Sequence, residues 1–302
     1  MQEILNKIVA ENKSLFGDNL DINKVNVGFT NTIYNVNDKY IVKICTRIDN
    51  EKNFKSEIDF YNANKDNKLI PKLYYASTDK TKIPYYYEVL EKVNGVSLYN
   101  VWHIFSEEQR EDIIKQLCEA IKQIHSNTVP SYNWIKYMKN QFLTLYTKSY
   151  EVNIFNLEER ILLNDAFSKF EKYLESNDFV LIHNDLHFDN IIISNGKIKL
   201  IDFERAMFAP RDFELDILYR MIRKPWKFAS EDNEQYTNSS QYSNIMKYIE
   251  KYYPELVNVP NLYQRLVIYD MVYFLEQLVE NPESDELKED VMSACKTVIL
   301  KD

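Results

Sequence analysis

A chain of 302 residues with 45% hydrophobic and 27% charged residues has an ordinary globular composition and enough length to bury a sizeable core, with two domains or lobes as the length-based expectation. Its formal charge of -9 argues against a protein that grips nucleic acid by the phosphates, which needs a basic face, and suits a cationic small-molecule partner. Cys45, Cys118 and Cys295 are far apart and in no CxxC spacing, so neither a disulfide framework nor a cysteine zinc site is expected.

The N-terminus, MQEILNKIVAENK, reads as an amphipathic helix rather than an export signal, and no apolar run approaches membrane-spanning length. A soluble, cytoplasmic, monomeric protein is the expectation. KVNVGFTNTIYNVNDKYIVKICT follows as three short strands with turns near Gly28 and at Asn37-Asp38. In DNEKNFKSEIDFYNANK, Phe54, Ile58 and Tyr61 fall at helical spacing behind an expected Asn50 cap, with Glu57 on the same side. KLYYAS and IPYYYEVLEKV read as two more strands ending at Asn94-Gly95.

The texture then becomes helical. Ser106 and Gln109 form a capping-box signature ahead of the apolar stripe Ile113, Ile114, Leu117, Ile121 and Ile124, and further helices are expected at 135–150, 157–176, 241–253, 261–280 and 286–299. Between them lies VLIHNDLHFDNIIISNGKIKLIDFE: an apolar approach, a polar knot at 183–190, then two strands joined by Asn195-Gly196, a strong hairpin signal. Only four glycines are present, at 17, 28, 95 and 196. Neither GxGxxG nor GxxxxGK[ST] can be written, which removes the Rossmann and P-loop readings.

The knot admits two chemistries. If it were a strand, His183, Asp185, His187 and Asp189 would share one face and could hold zinc or manganese in a metallohydrolase. As a loop into a hairpin, it presents Asp185 and Asn190 and returns Asp202 beside Asn190. Phosphoryl transfer needs magnesium ligands, a carboxylate to orient and deprotonate the acceptor hydroxyl, and cations on the phosphates. Asp185 suits the base, and Asn190 and Asp202 suit the metal.

The order of strand, glycine turn, strand, Lys43, helix with Glu57, hinge, HNDLHFDN and IDFE resembles the aminoglycoside phosphotransferase family, small-molecule kinases of protein-kinase-like fold related to choline and ethanolamine kinases. Their H-[GN]-D-x-x-x-x-N matches His183, Asn184, Asp185 and Asn190; their I-D-[FW] matches Ile201, Asp202 and Phe203. The resemblance implies an α+β bilobal fold: a nucleotide-binding lobe at 1–92, with an antiparallel sheet plus a helix, and a larger, mostly helical catalytic and substrate-binding lobe at 93–302. It implies ATP or GTP as co-substrate with Mg2+, a hydroxyl-bearing, cationic small-molecule acceptor headed by aminoglycoside antibiotics, and choline-like amino alcohols next.

By the same resemblance, Lys43 pairs with nucleotide phosphates and with Glu57; Gly28, Thr30 and Asn31 belong to the phosphate-covering loop; and backbone groups of Glu91 and Val93 face the purine. His183 is expected to be structural, His187 and Asp189 to be ordinary loop residues. Asp216 matches the aspartate that braces the catalytic loop, with helix capping as the equal alternative. Glu204 departs from many members and matches the I-D-F-E of choline and ethanolamine kinases. Glu231, Asp232, Glu234, Asp270, Glu276 and Glu280 could line a cationic acceptor site, and Trp102, Trp134 and Trp226 could cage a quaternary amine. A kinase-shaped nucleotide-binding protein without catalysis is the remaining alternative; all five residue types expected for catalysis are present.

Overall fold

The β-branched and aromatic runs pair into a five-stranded antiparallel sheet in the order β1-β2-β3-β5-β4, with β1 Ile22–Val25, β2 Thr32–Val36, β3 Tyr40–Ile44, β4 Leu73–Ser77 and β5 Tyr87–Glu91. In this computed structural model, residues 1–25, 31–130, 132–228 and 234–300 are described. Gly28, Thr30, Glu231 and Asp232 lie outside the described residues. Asn37 and Asp38, with φ of 56° and 55°, make the tight β2–β3 turn, a conformation in which both central residues need positive φ and Asn and Asp are tolerated.

Alternation along β3 decides what each face carries. Val42 and Ile44 enter an apolar core with Tyr87 and Val89 of β5 and with Leu5 and Ile8 of the helix Gln2–Glu11. Lys43 and its cross-strand partner Glu88 therefore stand on the opposite face, where the helix Glu51–Ala63 packs Phe54 and Ile58 against Cys45. The expected Asn50 cap is not made: the Asn50 side chain donates instead to Glu204, at 3.1 Å. A 3-10 turn, Ile48–Asn50, leads into the helix in its place.

The chain forms two compact units, Met1–Gln123 with His187–Met207, and Ile124–Leu186 with Phe208–Asp302. Crossings thus fall at 123–124, 186–187 and 207–208, whereas the sequence reading drew one lobe boundary at 92–93. The reason is strand pairing. β6, Val96–Ser97, joins the hairpin of β8, Ile191–Ser194, and β9, Lys197–Leu200, as a third strand that the sequence reading missed. The helix Glu107–Ile124 adds its Gln116 amide, which donates to the Gly196 carbonyl at 2.8 Å. Its capping box is present as read: Ser106 N–H donates to Gln109 at 2.8 Å and Gln109 N–H donates back to the Ser106 hydroxyl at 3.3 Å.

In the second unit the helices Trp134–Glu151, Leu262–Glu280 and Asp285–Leu300 form within a residue or two of expectation. The helix expected over 157–176 ends at Ser168, and a separate turn, Phe170–Tyr173, packs Phe170 against Phe142 and Phe167. A fully buried Arg265 ties this region together, donating to both oxygens of Asp212 at 2.7 and 2.8 Å and to the carbonyls of Tyr173 and Glu175.

β7, Phe179–Ile182, pairs with β10, Met207–Pro210, and the polar loop that leaves β7 begins in this second unit. That loop is braced by Glu214, a residue the sequence reading passed over, and not by Asp216. Glu214 accepts from the backbone N–H of His183 at 2.8 Å and of Asn184 at 3.3 Å, and its Oε2 lies 3.1 Å from His125 Nε2. Asp216 points elsewhere, into a bidentate pair with Arg220 at 2.6 Å. Burial by itself would raise the Glu214 carboxyl, but the donors around it, His125 foremost, hold it below its ordinary 4.5.

Two consequences are measurable. A Cβ at Gly95, whose φ is 146°, would lie 2.4 Å from the Ile193 carbonyl oxygen, whereas one at Gly196 would meet open space. Gly95→Ala should therefore cost roughly 1–3 kcal/mol or more in urea unfolding, and Gly196→Ala only the ~1–2 kcal/mol of its left-handed backbone. Glu214→Gln should lose about 2 kcal/mol of stability at neutral pH, the scale of charge-assisted hydrogen bonds to a buried acceptor. Because the Glu214 pKa is depressed by folding, its contribution is complete above 4.5 and is lost as pH falls through the folded value. Unfolding curves of wild type and variant should accordingly converge in acid, and a gap that is constant with pH would contradict this.

Candidate nucleotide site

The site in the first unit is built on one buried cation. Lys43 is 7% exposed, and its Nζ donates to Glu57 Oε2 at 2.7 Å and reaches Asp202 Oδ1 at 3.4 Å and the Glu204 carboxylate. Burial acts to pull the lysine pKa down, but the Glu57, Asp202, Glu204 and Glu88 carboxyls outweigh it and raise it well above the ordinary value. Lys43 is thus held charged. The expected Lys43–Glu57 pair is present, and the helical spacing of Phe54, Ile58 and Tyr61 is what aims Glu57 inward.

Glu57 has a second duty. Its Oε1 accepts the Phe203 N–H at 3.3 Å, while the Phe203 ring stacks on Phe60 of the same helix with centroids 3.9 Å apart. The segment after β9 is thereby fastened to the helix Glu51–Ala63. Asp202 between them has φ of 64°, the left-handed region that non-glycine residues occupy at a cost.

The hairpin performs the return that its sequence promised. Ile191 pairs with Leu200, and the Ile201 N–H continues the ladder to the Asn190 carbonyl at 3.0 Å, so Asp202 follows one residue beyond a direct tie to Asn190. Asn190 closes a 3-10 turn, Phe188–Asn190, with its Nδ2 3.2 Å from His187 Nε2. Asp202, with its side chain 47% exposed, and Asn190 both border a cleft of about 470 Å³ in this unit. A carboxylate and an amide are oxygen donors of the kind that magnesium selects, so the residues present fit that ion.

The other predicted nucleotide residues divide. Lys43, Glu57, Asn31, Glu91 and Val93 all line the same cleft. Asn31 donates to Glu204, the residue by which the I-D-F-E sequence departs from many family members. Glu91 places its N–H on the Lys72 carbonyl at 2.8 Å, and its carboxylate accepts from Lys72 N–H and Lys199 Nζ. Its side chain and its backbone N–H are therefore both engaged in the fold.

Asp185 lies in the second unit, half-buried, on the loop that Glu214 braces. Asn184 before it has φ of 59°, which explains why Asn or Gly is the residue that fits there. The picture of four metal ligands on one strand face is overturned. β7 ends at Ile182, His183 is fully buried, and Asp189 is exposed and accepts from the Ser97 hydroxyl at 2.6 Å. Among the described residues the acidic groups that do cluster, Glu57, Asp202 and Glu204, gather around the Lys43 ammonium. Trp102 and Trp134 are core residues, each 1% exposed, and cannot cage a ligand; Trp226 is 43% exposed. Asp270 is not free to meet a cationic acceptor, because Arg220 and Arg223 both bond to it.

Among the described residues no helix is long and apolar enough to cross a membrane. The model of the phosphotransferase enzyme family matches residues 21–241. A LicA homolog protein from Mycoplasma capricolum subsp. capricolum is 28% identical over 204 residues, 65% of this chain and 71% of that protein. Among solved structures, ADP-bound aminoglycoside phosphotransferase APH(2'')-Ib superposes with a TM-score of 0.70 at 18% identity, covering 98% of this chain and 97% of the other. The GDP complex of aminoglycoside 2'-phosphotransferase-IIIa does so with a TM-score of 0.67 at 15% identity, covering 99% and 98%. At such identities the structural likeness speaks for the α+β, protein-kinase-like fold, while the family match over most of the chain speaks for the activity class: the protein belongs to the aminoglycoside phosphotransferase family and is a phosphotransferase enzyme.

Proposed function

We propose that the protein is an ATP- or GTP-dependent kinase that phosphorylates a hydroxyl of a small cationic molecule, with an aminoglycoside-type antibiotic as the first acceptor to test. The observation that carries this reading is the buried Lys43, paired to Glu57, which in turn fastens Phe203 beside Asp202 at a cleft. In the proposed mechanism Lys43 neutralises phosphate charge as the loose transition state forms, and Glu57 keeps it oriented. Asp185 orients the acceptor hydroxyl and takes its proton. Asn190 and Asp202 would hold magnesium, which when bound supplies neutralisation of the nucleotide's phosphates.

A second acceptor class has specific support. An aminoglycoside carries several positive charges and calls for several free carboxylates, yet Asp216 and Asp270 are neutralised by Arg220 and Arg223. The Glu204 of the I-D-F-E sequence matches choline and ethanolamine kinases. A singly charged amino alcohol is therefore the second acceptor to test.

Asp185→Asn should lower kcat by about 10²–10⁴-fold, the range for removal of a general base, with nucleotide affinity within a few-fold of wild type. The measurement is nucleotide consumption against a panel of aminoglycosides and amino alcohols, run with ATP and with GTP. Wild-type kcat in the variant on a proven acceptor would sink the assignment of the base; nucleotide binding with no acceptor phosphorylated would favour a non-catalytic binding protein.

A further inference from the structure

Four carboxyl groups, Glu57, Glu88, Asp202 and Glu204, surround the single ammonium of Lys43. Three of them are accounted for: Glu57, Asp202 and Glu204 each pair with Lys43 Nζ, and Glu204 also takes the amides of Asn31 and Asn50. Glu88 differs. It is fully buried on β5, directly across from Lys43 in the strand register, and neither of its carboxyl oxygens has a hydrogen-bond partner among the described residues.

A buried carboxylate without a donor is strongly disfavoured, and such a group responds by keeping its proton. The point at which an extra cation could gather the other three carboxylates is already filled by Lys43 Nζ. Burial first, and the charge of Glu57 second, raise the Glu88 carboxyl well above its ordinary range; Glu57 lies within hydrogen-bond reach of it. Burial likewise pushes Glu57 up, to about 7, so the proton has two candidate homes. Donors decide between them: Glu57 receives Lys43 Nζ and the Phe203 N–H, whereas Glu88 receives no donor among the described residues.

We propose that Glu88 is a neutral carboxylic acid that donates its hydrogen to Glu57 and so positions the Glu57–Lys43 pair. Glu88 does not line the cleft and is a positioning residue. Its importance for nucleotide binding rests on the reading of Lys43 as the phosphate lysine. The neutral state also matters for charge: with all four carboxyls ionised, a site meant for a polyphosphate would carry a surplus of negative charge around one lysine. The titratable groups facing Glu88 are Lys43 on β3, Glu57 and Tyr61 on the helix Glu51–Ala63, and Glu204 beyond β9. Lys43 and Tyr61 are both raised well above their ordinary values, so neither changes charge in the neutral range.

Infrared difference spectroscopy on the full chain reads the proton directly. Wild type at neutral pH should have the carbonyl stretch of a buried protonated acid, and Glu88→Gln should lack it. A second arm measures the affinity for magnesium with a non-hydrolysable ATP analogue from neutral to alkaline pH. Because the Glu88 pKa is raised, wild type should weaken as pH rises through it, when the new anion repels Glu57 and competes for Lys43. Glu88→Gln, which stays neutral and keeps a donor, should bind within about twofold of wild type at neutral pH and lose that alkaline limb, while Glu88→Leu, with no donor, should bind about tenfold more weakly, the scale of one lost hydrogen bond. An infrared band unchanged in Glu88→Gln, or an alkaline limb that persists in it, overturns the proposal. If wild type bound no nucleotide at all, the kinase reading would fall, and the infrared arm would still decide where the proton resides.

Discussion

The rest of the first unit depends on keeping one ammonium charged inside protein. Taking Lys43 out of water is costly, and the cost is offset only by carboxylates held at bonding distance. Those carboxylates come from two distant parts of the chain: Glu57 from a helix, Asp202 and Glu204 from the segment after β9. Satisfying the lysine therefore draws the sheet, the helix and the hairpin end to one point. The Phe203 ring on Phe60 and the Phe203 N–H on Glu57 secure the same junction by packing and by backbone hydrogen bonding. Removal of one member would leave the others buried and mismatched, which is why such networks are stable as sets and fragile in their parts.

The second unit applies the same logic to the loop that carries Asp185. Two backbone N–H groups at a left-handed turn need acceptors, and Glu214 supplies both oxygens. Glu214 is itself buried and hydrogen-bonded to His125, whose other ring nitrogen lies 2.9 Å from the Tyr253 hydroxyl. The loop that carries the half-buried Asp185 is thus held by a chain of hydrogen bonds.

Three aspartates of this unit are paired to arginine. Asp212 faces Arg265, Asp216 faces Arg220, and Asp270 faces Arg220 and Arg223. Of the acidic residues that the sequence offered as a cationic binding wall, Asp270 is thus an internal ion pair. That redistribution weighs on the acceptor: a polycation gains least from carboxylates already neutralised, and a monocation needs fewest of them.

Much of this protein was legible in its sequence because the signals are local. Asn37-Asp38 and Asn195-Gly196 accept positive φ, so their hairpins form wherever they sit; Ser106 and Gln109 cap a helix within four residues; the 3.6 period aims Glu57 at Lys43. Spacing alone brought Asp202 back to Asn190, since a four-residue strand, a two-residue turn and a four-residue strand leave little freedom. Tertiary structure decided the matters in which two similar residues compete for one partner. Glu214 and Asp216 are two positions apart, and only packing places one under the loop and the other beside Arg220. Asn50 looked like a cap until Glu204, 154 residues away, offered it a charged acceptor. Glu88 read as one more residue of a tyrosine-rich strand, and its isolation follows from neighbours that periodicity cannot name. The sequence determined which groups exist and which way each strand and helix faces; long-range packing determined which of them share a proton, because burial and partners, not residue type, set that balance.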